Sequence, residues 1–284
     1  MKAPAFAYVR ARSLAEALGL LEEHGDGARL LAGGQSLVAA LNMRLSAPEL
    51  LIDISRLDEL AGIKVRDGSV RIGALTTHAE IEQSADIAKH LPLLAQAAPH
   101  IAHPAIRNSG TFGGSLALAD PAAEWPACCI ALDARFTLAG KRGTRQVKAR
   151  EFFKGLYSTA LRPDEVLTQV DIPIAGAGYR SAFFELARRR GDYAIVGLAA
   201  VAKSAYGALS DVRLAFFGVG PAPVLAKSAA AALEGKTAKS GAAEIAAKML
   251  AKDLDPAPDL YSSAATKMQL ARVLTGRALA MLGA

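Results

Sequence analysis

The sequence is poor in cysteine, and this scarcity excludes several classes of protein. Its 284 residues contain only two cysteines, Cys128 and Cys129, which are neighbours. Adjacent cysteines do not easily bridge each other, and the chain has no C-x-x-C or His/Cys spacing. We therefore exclude a disulfide scaffold, a structural zinc site and an iron–sulfur cluster held by this chain alone, and we predict no metal site. Because thiols stay reduced in the cytosol, we predict a cytoplasmic protein.

Long apolar runs are also missing. A membrane-spanning helix needs about 20 consecutive apolar residues, whereas the best run here, residues 194–202, stops at Lys203. We therefore expect no integral membrane segment and no secretory signal. The net charge of +6 comes from scattered basic residues, and the densest cluster is Arg188–Arg190. Without a basic stripe or motif, we predict no nucleic-acid binding.

The chain has ample material for packed cores, since 52% of it is hydrophobic and 21% is charged. Domains usually take roughly 100–200 residues, so we expect two or three. We predict an α/β lobe over residues 1–57, a second α+β lobe over 58–175 and a C-terminal domain over 176–284. The boundary between the last two is placed at the flexible break Pro173–Gly178.

Local patterns predict the main elements. In the first lobe they are a capped helix after Ser13, strands at 29–32 and 50–54, and a helix after Ser36. In the second lobe they are a hairpin around Asp67–Gly68, a helix capped by Thr77 and Glu80, a helical segment at 87–98, a loop over 101–122, a helix starting at Asp120–Pro121, and strands at 136–139 and 166–172. The C-terminal domain is predicted to contain strands at 181–188, 194–202 and 212–219, then helices near 223–234, 239–252 and 260–282.

Two glycine segments stand out. The first is Ala32-Gly33-Gly34-Gln35-Ser36-Leu37, between a predicted strand and a helix, and the second is Thr111-Phe112-Gly113-Gly114-Ser115. Paired glycines allow positive φ, so that successive backbone N–H groups point into one concavity that suits a phosphate. Two matched segments, each with hydroxyl neighbours, indicate a clamp on an elongated anion such as a pyrophosphate.

Several familiar fingerprints are absent. The chain lacks G-x-x-x-x-G-K-[ST], G-x-G-x-x-G and G-x-S-x-G, which disfavours a P-loop hydrolase, a Rossmann dehydrogenase and an α/β-hydrolase. The five histidines, at positions 24, 78, 90, 100 and 103, form no H-E-x-x-H. We therefore predict that each is a surface or loop residue rather than a ligand.

The two glycine segments, together with Pro48–Ile54, Ile106–Asn108, Ala119–Glu124 and Arg189–Val196, carry a resemblance to one family. The sequence resembles the FAD-binding medium subunit of molybdenum hydroxylases of the carbon monoxide dehydrogenase and xanthine dehydrogenase type, over essentially its whole length. The resemblance implies an α+β fold. A two-lobed FAD-binding domain of PCMH/vanillyl-alcohol-oxidase type would precede a three-stranded antiparallel sheet with a three-helix bundle.

The resemblance also implies a cofactor, FAD, and the residues that bind it. The two glycine segments would hold the pyrophosphate, Glu124 would lie near the ribose of the adenosine half, and Tyr193 near the isoalloxazine ring. Backbone or apolar contacts would come from Ile101, Leu161 and Val166. For Glu124 an acid favoured in a first helical turn, and for Tyr193 a packed strand tyrosine, remain alternatives. No general acid or base is implied, because the cofactor supplies the chemistry.

The implied partners are a molybdopterin-binding large subunit and a small subunit with two [2Fe–2S] clusters, in a dimer of heterotrimers. Electrons would pass from the clusters through flavin to NAD or a quinone. Two other functions remain open at this point: a stand-alone FAD-dependent oxidoreductase, and an assembly subunit without flavin.

Overall fold

The computed structural model describes residues 2–238 and 240–283. The strands are β1 Ala7–Arg10, β2 Ala28–Leu31, β3 Leu50–Asp53, β4 Ile63–Arg66, β5 Ser69–Gly73, β6 Arg135–Gly140, β7 Gly143–Lys148, β8 Phe153–Gly155, β9 Ser158–Thr159, β10 Val166–Pro173, β11 Tyr179–Ala187, β12 Ala194–Ala205, β13 Ala208–Phe217 and β14 Val224–Leu225. The α-helices are α1 Leu14–His24, α2 Leu37–Asn42, α3 His78–Gln83, α4 Ala85–His90, α5 Pro92–Ala97, α6 Pro104–Arg107, α7 Phe112–Leu118, α8 Glu124–Ala131, α9 Ala149–Phe152, α10 Lys227–Ala231, α11 Ser240–Asp253 and α12 Ala264–Gly283.

The N-terminal lobe is built on a small parallel sheet with strand order β1-β3-β2. Helix α1 begins as predicted, because the Ser13 hydroxyl accepts the Glu16 N–H at 3.2 Å, although the Glu16 carboxylate accepts from Arg12 rather than completing the capping box. Leu18 and Leu21 of α1 are buried in the same core as β3. The chain leaves the carboxyl end of β2 directly into the first glycine segment, and in parallel sheets this is the end where ligands usually bind.

The second lobe contains a five-stranded antiparallel sheet with order β4-β5-β10-β6-β7. The predicted hairpin is confirmed, and its turn residues Asp67 and Gly68 both have positive φ, as a tight primed turn requires. Thr77 and Glu80 form the predicted capping box of α3. The predicted helical segment at 87–98 is divided at Pro92 into α4 and α5, because proline cannot donate to the preceding turn.

Two predictions in this lobe are wrong. The segment 101–122, predicted as a loop, contains α6 and α7. Gly113 is needed in α7 because the helix lies against the backbone of Ala74: a Cβ on Gly113 would be 2.8 Å from the Ala74 Cα. The next helix begins at Glu124 rather than at Asp120–Pro121, since the Asp120 carboxylate accepts the Ala122 N–H at 2.9 Å and forms a turn before the helix.

The C-terminal domain is an antiparallel sheet with order β11-β12-β13-β14, covered on one face by α10–α12. The predicted three strands and three helices are present, with a short fourth strand, β14, where the predicted helix at 223–234 would begin; position 239 of the next predicted helix lies outside the described residues. The α+β fold is therefore confirmed.

The run at 194–202 is apolar because β12 is buried on both faces. Ala199 and Val201 join the core shared with the second lobe, whereas Leu198 and Ala200 join the core under the C-terminal helices. Gly197 provides room for a neighbouring ring, since a Cβ there would be 1.9 Å from Phe217 Cζ. Among residues 2–238 and 240–283, no helix has the length and apolar character needed to cross a membrane.

Candidate functional site

The first glycine segment forms an open turn between β2 and α2. Gly34 has a φ of 72°, and the Gln35 side-chain amide closes the turn by donating to the Gly33 carbonyl at 3.1 Å. Gln35 and Ser36 are exposed. Within the described residues, no hydrogen bond engages the backbone N–H groups of Gly33–Ser36. These four donors consequently have no partner among the described residues, which is what an amide nest for a ligand requires.

The second glycine segment differs from this prediction. Thr111 is the N-cap of α7, and none of the following glycines has a positive φ. The N–H groups of the first turn all donate within the protein: Phe112 to Thr76 O, Gly113 to Ala74 O, Gly114 to Thr111 Oγ1 and Ser115 to Thr111 O. The glycines here serve close packing rather than an amide nest. What this segment presents is a fixed backbone surface with the exposed Gly114 and the half-buried Ser115.

The first segment lies in direct contact with Ser109 and Gly110, the two residues that immediately precede the second segment. A Cβ on Gly33 would be 1.9 Å from the carbonyl oxygen of Ser109 and 2.9 Å from the Cα of Gly110. Only glycine allows this approach, because real Cβ atoms do not come within 3 Å of backbone atoms. The structure thus brings the first motif against the residues that lead directly into the second, although the sequence separates them by more than 70 positions.

A buried histidine supports the second segment, and the prediction that every histidine is a surface or loop residue is wrong for it. His78 is 5% exposed, its N–H donates to the Gly110 carbonyl at 3.0 Å, and its Nδ1 accepts the Trp125 indole N–H at 3.0 Å. Burial, with the positive charge of Arg107, lowers the pKa of His78 to about 4. The ring is therefore neutral near pH 7. No sequence signal indicated this role.

Arg107 is also buried. Its guanidinium donates to Glu82 at 2.7 Å and to the carbonyls of Ile101 and Ala102 at 2.9 and 3.1 Å. These bonds fix the chain between α5 and α6, just ahead of the second glycine segment.

The remaining predicted site residues fall into two groups. Ile101 and Val166 are buried in hydrophobic cores, and Leu161 packs against one of them, so a ligand would meet their backbone. Tyr193, by contrast, is 71% exposed and lines a pocket of about 830 Å³ together with Asp120 and Tyr157. Glu124 is half-buried at the start of α8, and burial with the negative charge of Asp120 raises its pKa to about 7.

Glu185, an acid with a buried side chain, was missed by the sequence prediction. The side chain of Glu185 on β11 is 4% exposed, its Oε2 has no hydrogen-bond partner among the described residues, and His100 Nδ1 is 4.0 Å away. Burial, with the negative charge of Glu124, raises the pKa of Glu185 to about 8. An isolated acid on a strand otherwise rich in apolar residues carries no sequence motif that would have revealed it.

The two cysteines lie inside α8. Cys128 and Cys129 are free thiols in the middle of α8 with no exposed surface, and burial raises the pKa of both. In the part of the chain that the structure describes, no group of three His, Cys, Asp or Glu residues is placed to hold a metal ion.

Comparison with known families identifies the class of protein to which this chain belongs. Residues 4–175 match the model of the FAD binding domain in molybdopterin dehydrogenase, and residues 181–282 match the CO dehydrogenase flavoprotein C-terminal domain. The molecule is thus a flavoprotein component of an oxidoreductase. The chain belongs to the family of FAD-binding medium subunits of molybdenum hydroxylases, and its cofactor is FAD.

Relatives match over nearly the full length. The 6-hydroxypseudooxynicotine dehydrogenase complex subunit alpha of Paenarthrobacter nicotinovorans is 42% identical over 99% of this chain and 95% of its own length. The carbon monoxide dehydrogenase medium chain of Hydrogenophaga pseudoflava is 38% identical, with coverages of 97% and 96%.

Solved structures agree with this assignment. A chain of the Hydrogenophaga pseudoflava carbon monoxide dehydrogenase superposes with a TM-score of 0.97 at 40% identity, over 99% of this chain and 98% of that one. Quinoline 2-oxidoreductase from Pseudomonas putida 86 gives 0.95 at 37% identity, over 100% and 98%.

The residues present fit FAD. The free amides of Gly33–Ser36 suit a pyrophosphate. The backbone of Gly33 lies so close to Ser109 that a single added Cβ would fill the space between them. The pocket beside Tyr193 is large enough for an aromatic ring system.

Proposed function

We propose that this chain passes electrons from the [2Fe–2S] clusters of a small partner subunit to an external acceptor, either NAD or a quinone. A molybdopterin-binding large subunit would oxidise the substrate and feed the clusters, in a dimer of heterotrimers. The observation that carries the proposal is the joined pair of glycine segments, with four free amides, in a chain that belongs to a FAD-binding family. Relatives of the same length are named medium chains of carbon monoxide and glyceraldehyde dehydrogenases.

The residues have distinct parts in this proposal. The amides of Gly33–Ser36 and the Ser36 hydroxyl hold the pyrophosphate, while the segment Thr111–Ser115 supplies the backbone surface and hydroxyls that close the other side. Ala32 and Leu37 flank the first segment. FAD, when bound, supplies redox chemistry that links one-electron and two-electron partners.

Glu124 and Tyr193 would contact the adenosine ribose and the isoalloxazine ring of the cofactor, respectively. With a pKa of about 7, the Glu124 carboxyl can accept or donate a hydrogen bond to a ribose hydroxyl near neutral pH. The exposed ring of Tyr193 offers a flat face beside the isoalloxazine. Ile101, Leu161 and Val166 would present backbone groups along the cofactor, because their side chains belong to the cores.

The domain limits 1–57, 58–175 and 176–284 are part of the proposal. The limit between 175 and 176 is supported by the change of family model between residues 175 and 181 and by the end of β10 at Pro173. Limited proteolysis should cut first between 174 and 178. The cytoplasmic location also stays a prediction, and fractionation of the native cells tests it.

Purification of the tagged chain from its native source tests the proposed function. We expect one FAD per chain, co-purification of a large and a small subunit, and reduction of the flavin in the complex by the substrate of the large subunit. A flavin-loaded chain that purifies alone and oxidises an organic substrate would instead indicate a stand-alone oxidoreductase. A chain that assembles with the partners but never binds FAD would indicate an assembly subunit.

A further inference from the structure

The second glycine segment is held in place by one neighbouring stretch of chain, Ala74–His78. Three backbone hydrogen bonds join the two: Gly113 N–H to Ala74 O at 2.8 Å, Phe112 N–H to Thr76 O at 2.8 Å and His78 N–H to Gly110 O at 3.0 Å. Because two of these bonds use amides of the segment and the third holds the carbonyl of Gly110 just ahead of it, the shape of the segment depends on where the 74–78 stretch lies.

His78 connects that stretch to the helix that follows the segment. Its Nδ1 accepts the indole N–H of Trp125 on α8, so the neutral ring carries its proton on Nε2. The Nε2 edge faces Gly110, where an added Cβ would be only 2.8 Å from Nε2. Trp125 in turn meets the ring of Phe112 edge-on, with the ring centres 5.4 Å apart.

His78 thus supports the N-terminal end of the segment in two ways, through its ring edge at Gly110 and, through Trp125, at the ring of Phe112. All three rings are almost completely buried. If the acceptor at position 78 is lost, the Trp125 N–H must move to reach water, and the segment resting on both rings moves with it.

We propose that His78 is a positioning residue for FAD, acting through its hydrogen bond to Trp125 rather than through its volume alone. The inference rests on the proposed role of Thr111–Ser115 in holding the cofactor. In a chain that lacks the acceptor at position 78 and has no FAD bound, the segment can shift so that the Trp125 N–H is hydrated. Binding of FAD requires the segment to return to the arrangement seen in the structure. The free-energy cost of the unpaired Trp125 N–H therefore appears as lost FAD affinity.

The test compares two substitutions of His78 in the full-length chain. His78→Leu removes the acceptor at similar volume, whereas His78→Asn keeps an oxygen acceptor near the position of Nδ1. After removal of FAD, each variant is titrated with FAD and binding is followed by flavin fluorescence. We expect the Kd to rise about tenfold or more for His78→Leu and to stay within about threefold of wild type for His78→Asn.

Trp125→Phe provides an independent arm, because it removes the donor and keeps a ring. We expect a raised Kd for this variant, and for the double variant His78→Leu/Trp125→Phe a Kd no higher than that of His78→Leu, since neither partner is then left unpaired. Wild-type affinity in both single variants, or losses that multiply in the double variant, would overturn the proposal. If His78→Leu does not fold, Trp125→Phe decides alone: a raised Kd supports the proposal and an unchanged Kd overturns it. Failure of the wild-type chain to bind FAD would instead refute the function on which it rests.

Discussion

The contact between the two glycine segments makes Gly33→Ala the most informative single substitution. The new Cβ would lie 1.9 Å from the Ser109 oxygen and 2.8 Å from the Ser109 carbonyl carbon, so the two segments must part by at least about 1 Å. Gly33 does not have a positive φ, and alanine is therefore not opposed by the backbone conformation itself. Overpacking of this kind costs about 1–3 kcal/mol. If this free-energy cost is taken entirely from FAD binding, the Kd for FAD rises by about 5- to 150-fold.

The assay is a titration of the FAD-free chain with FAD, together with thermal unfolding with and without the cofactor. Gly19→Ala is the matched control: Gly19 lies within α1, and an added Cβ there meets no atom within 4 Å. This variant should bind FAD as the wild type does and gain about 0.5–1 kcal/mol of stability, because alanine favours the helix. A Gly33→Ala chain that binds one FAD with a Kd within about twofold of wild type would refute the clamp formed by the two segments.

Three further expectations concern stability. Gly197→Ala should lower the free energy of unfolding in urea by about 1–3 kcal/mol because of the clash with Phe217, and an unchanged midpoint would contradict the packing. Glu185 has a folded pKa of about 8, above its unfolded value, so wild-type stability should fall as pH rises through 4.5 to 8. Glu185→Gln should remove that fall and be more stable by a few kcal/mol at about pH 9; equal stability there would contradict the burial of an unpaired acid. His78 has a folded pKa of about 4, below its unfolded value, so stability is present above pH 6.5 and up to about 3 kcal/mol is lost as pH falls to 4. The His78→Asn variant should not lose this stability at acid pH. A pH profile of stability identical to that of the wild type would contradict the lowered pKa of His78.

Local signals predicted the elements whose causes are local. The Thr77–Glu80 capping box and the Asp67–Gly68 turn depend on neighbouring residues only, and both are present. The Asp120–Pro121 pattern led to a wrong helix start because an aspartate can either cap a helix or close a turn. The helix instead starts at Glu124, and Pro126 lies in its first turn.

The features that were missed depend on distant contacts. Gly113 of α7 is needed because Ala74 lies against it, and nothing within residues 101–122 shows that neighbour. His78 is buried by Trp125, 47 positions away, and a lone histidine at the start of a helix is otherwise typical of a surface. The sequence did indicate two related glycine motifs, but their different use of backbone amides became visible only in the fold.

The buried pair Cys128–Cys129 has a practical consequence for experiments on this chain. The thiolate is the form that reacts with alkylating and crosslinking reagents, and both thiols have raised pKa values and no exposed surface. The native protein should therefore not react with maleimides, even though neither cysteine has been replaced. A single cysteine introduced on the surface, for example at the fully exposed Tyr206, would then carry a spectroscopic label or a crosslinker for mapping subunit contacts in the intact chain.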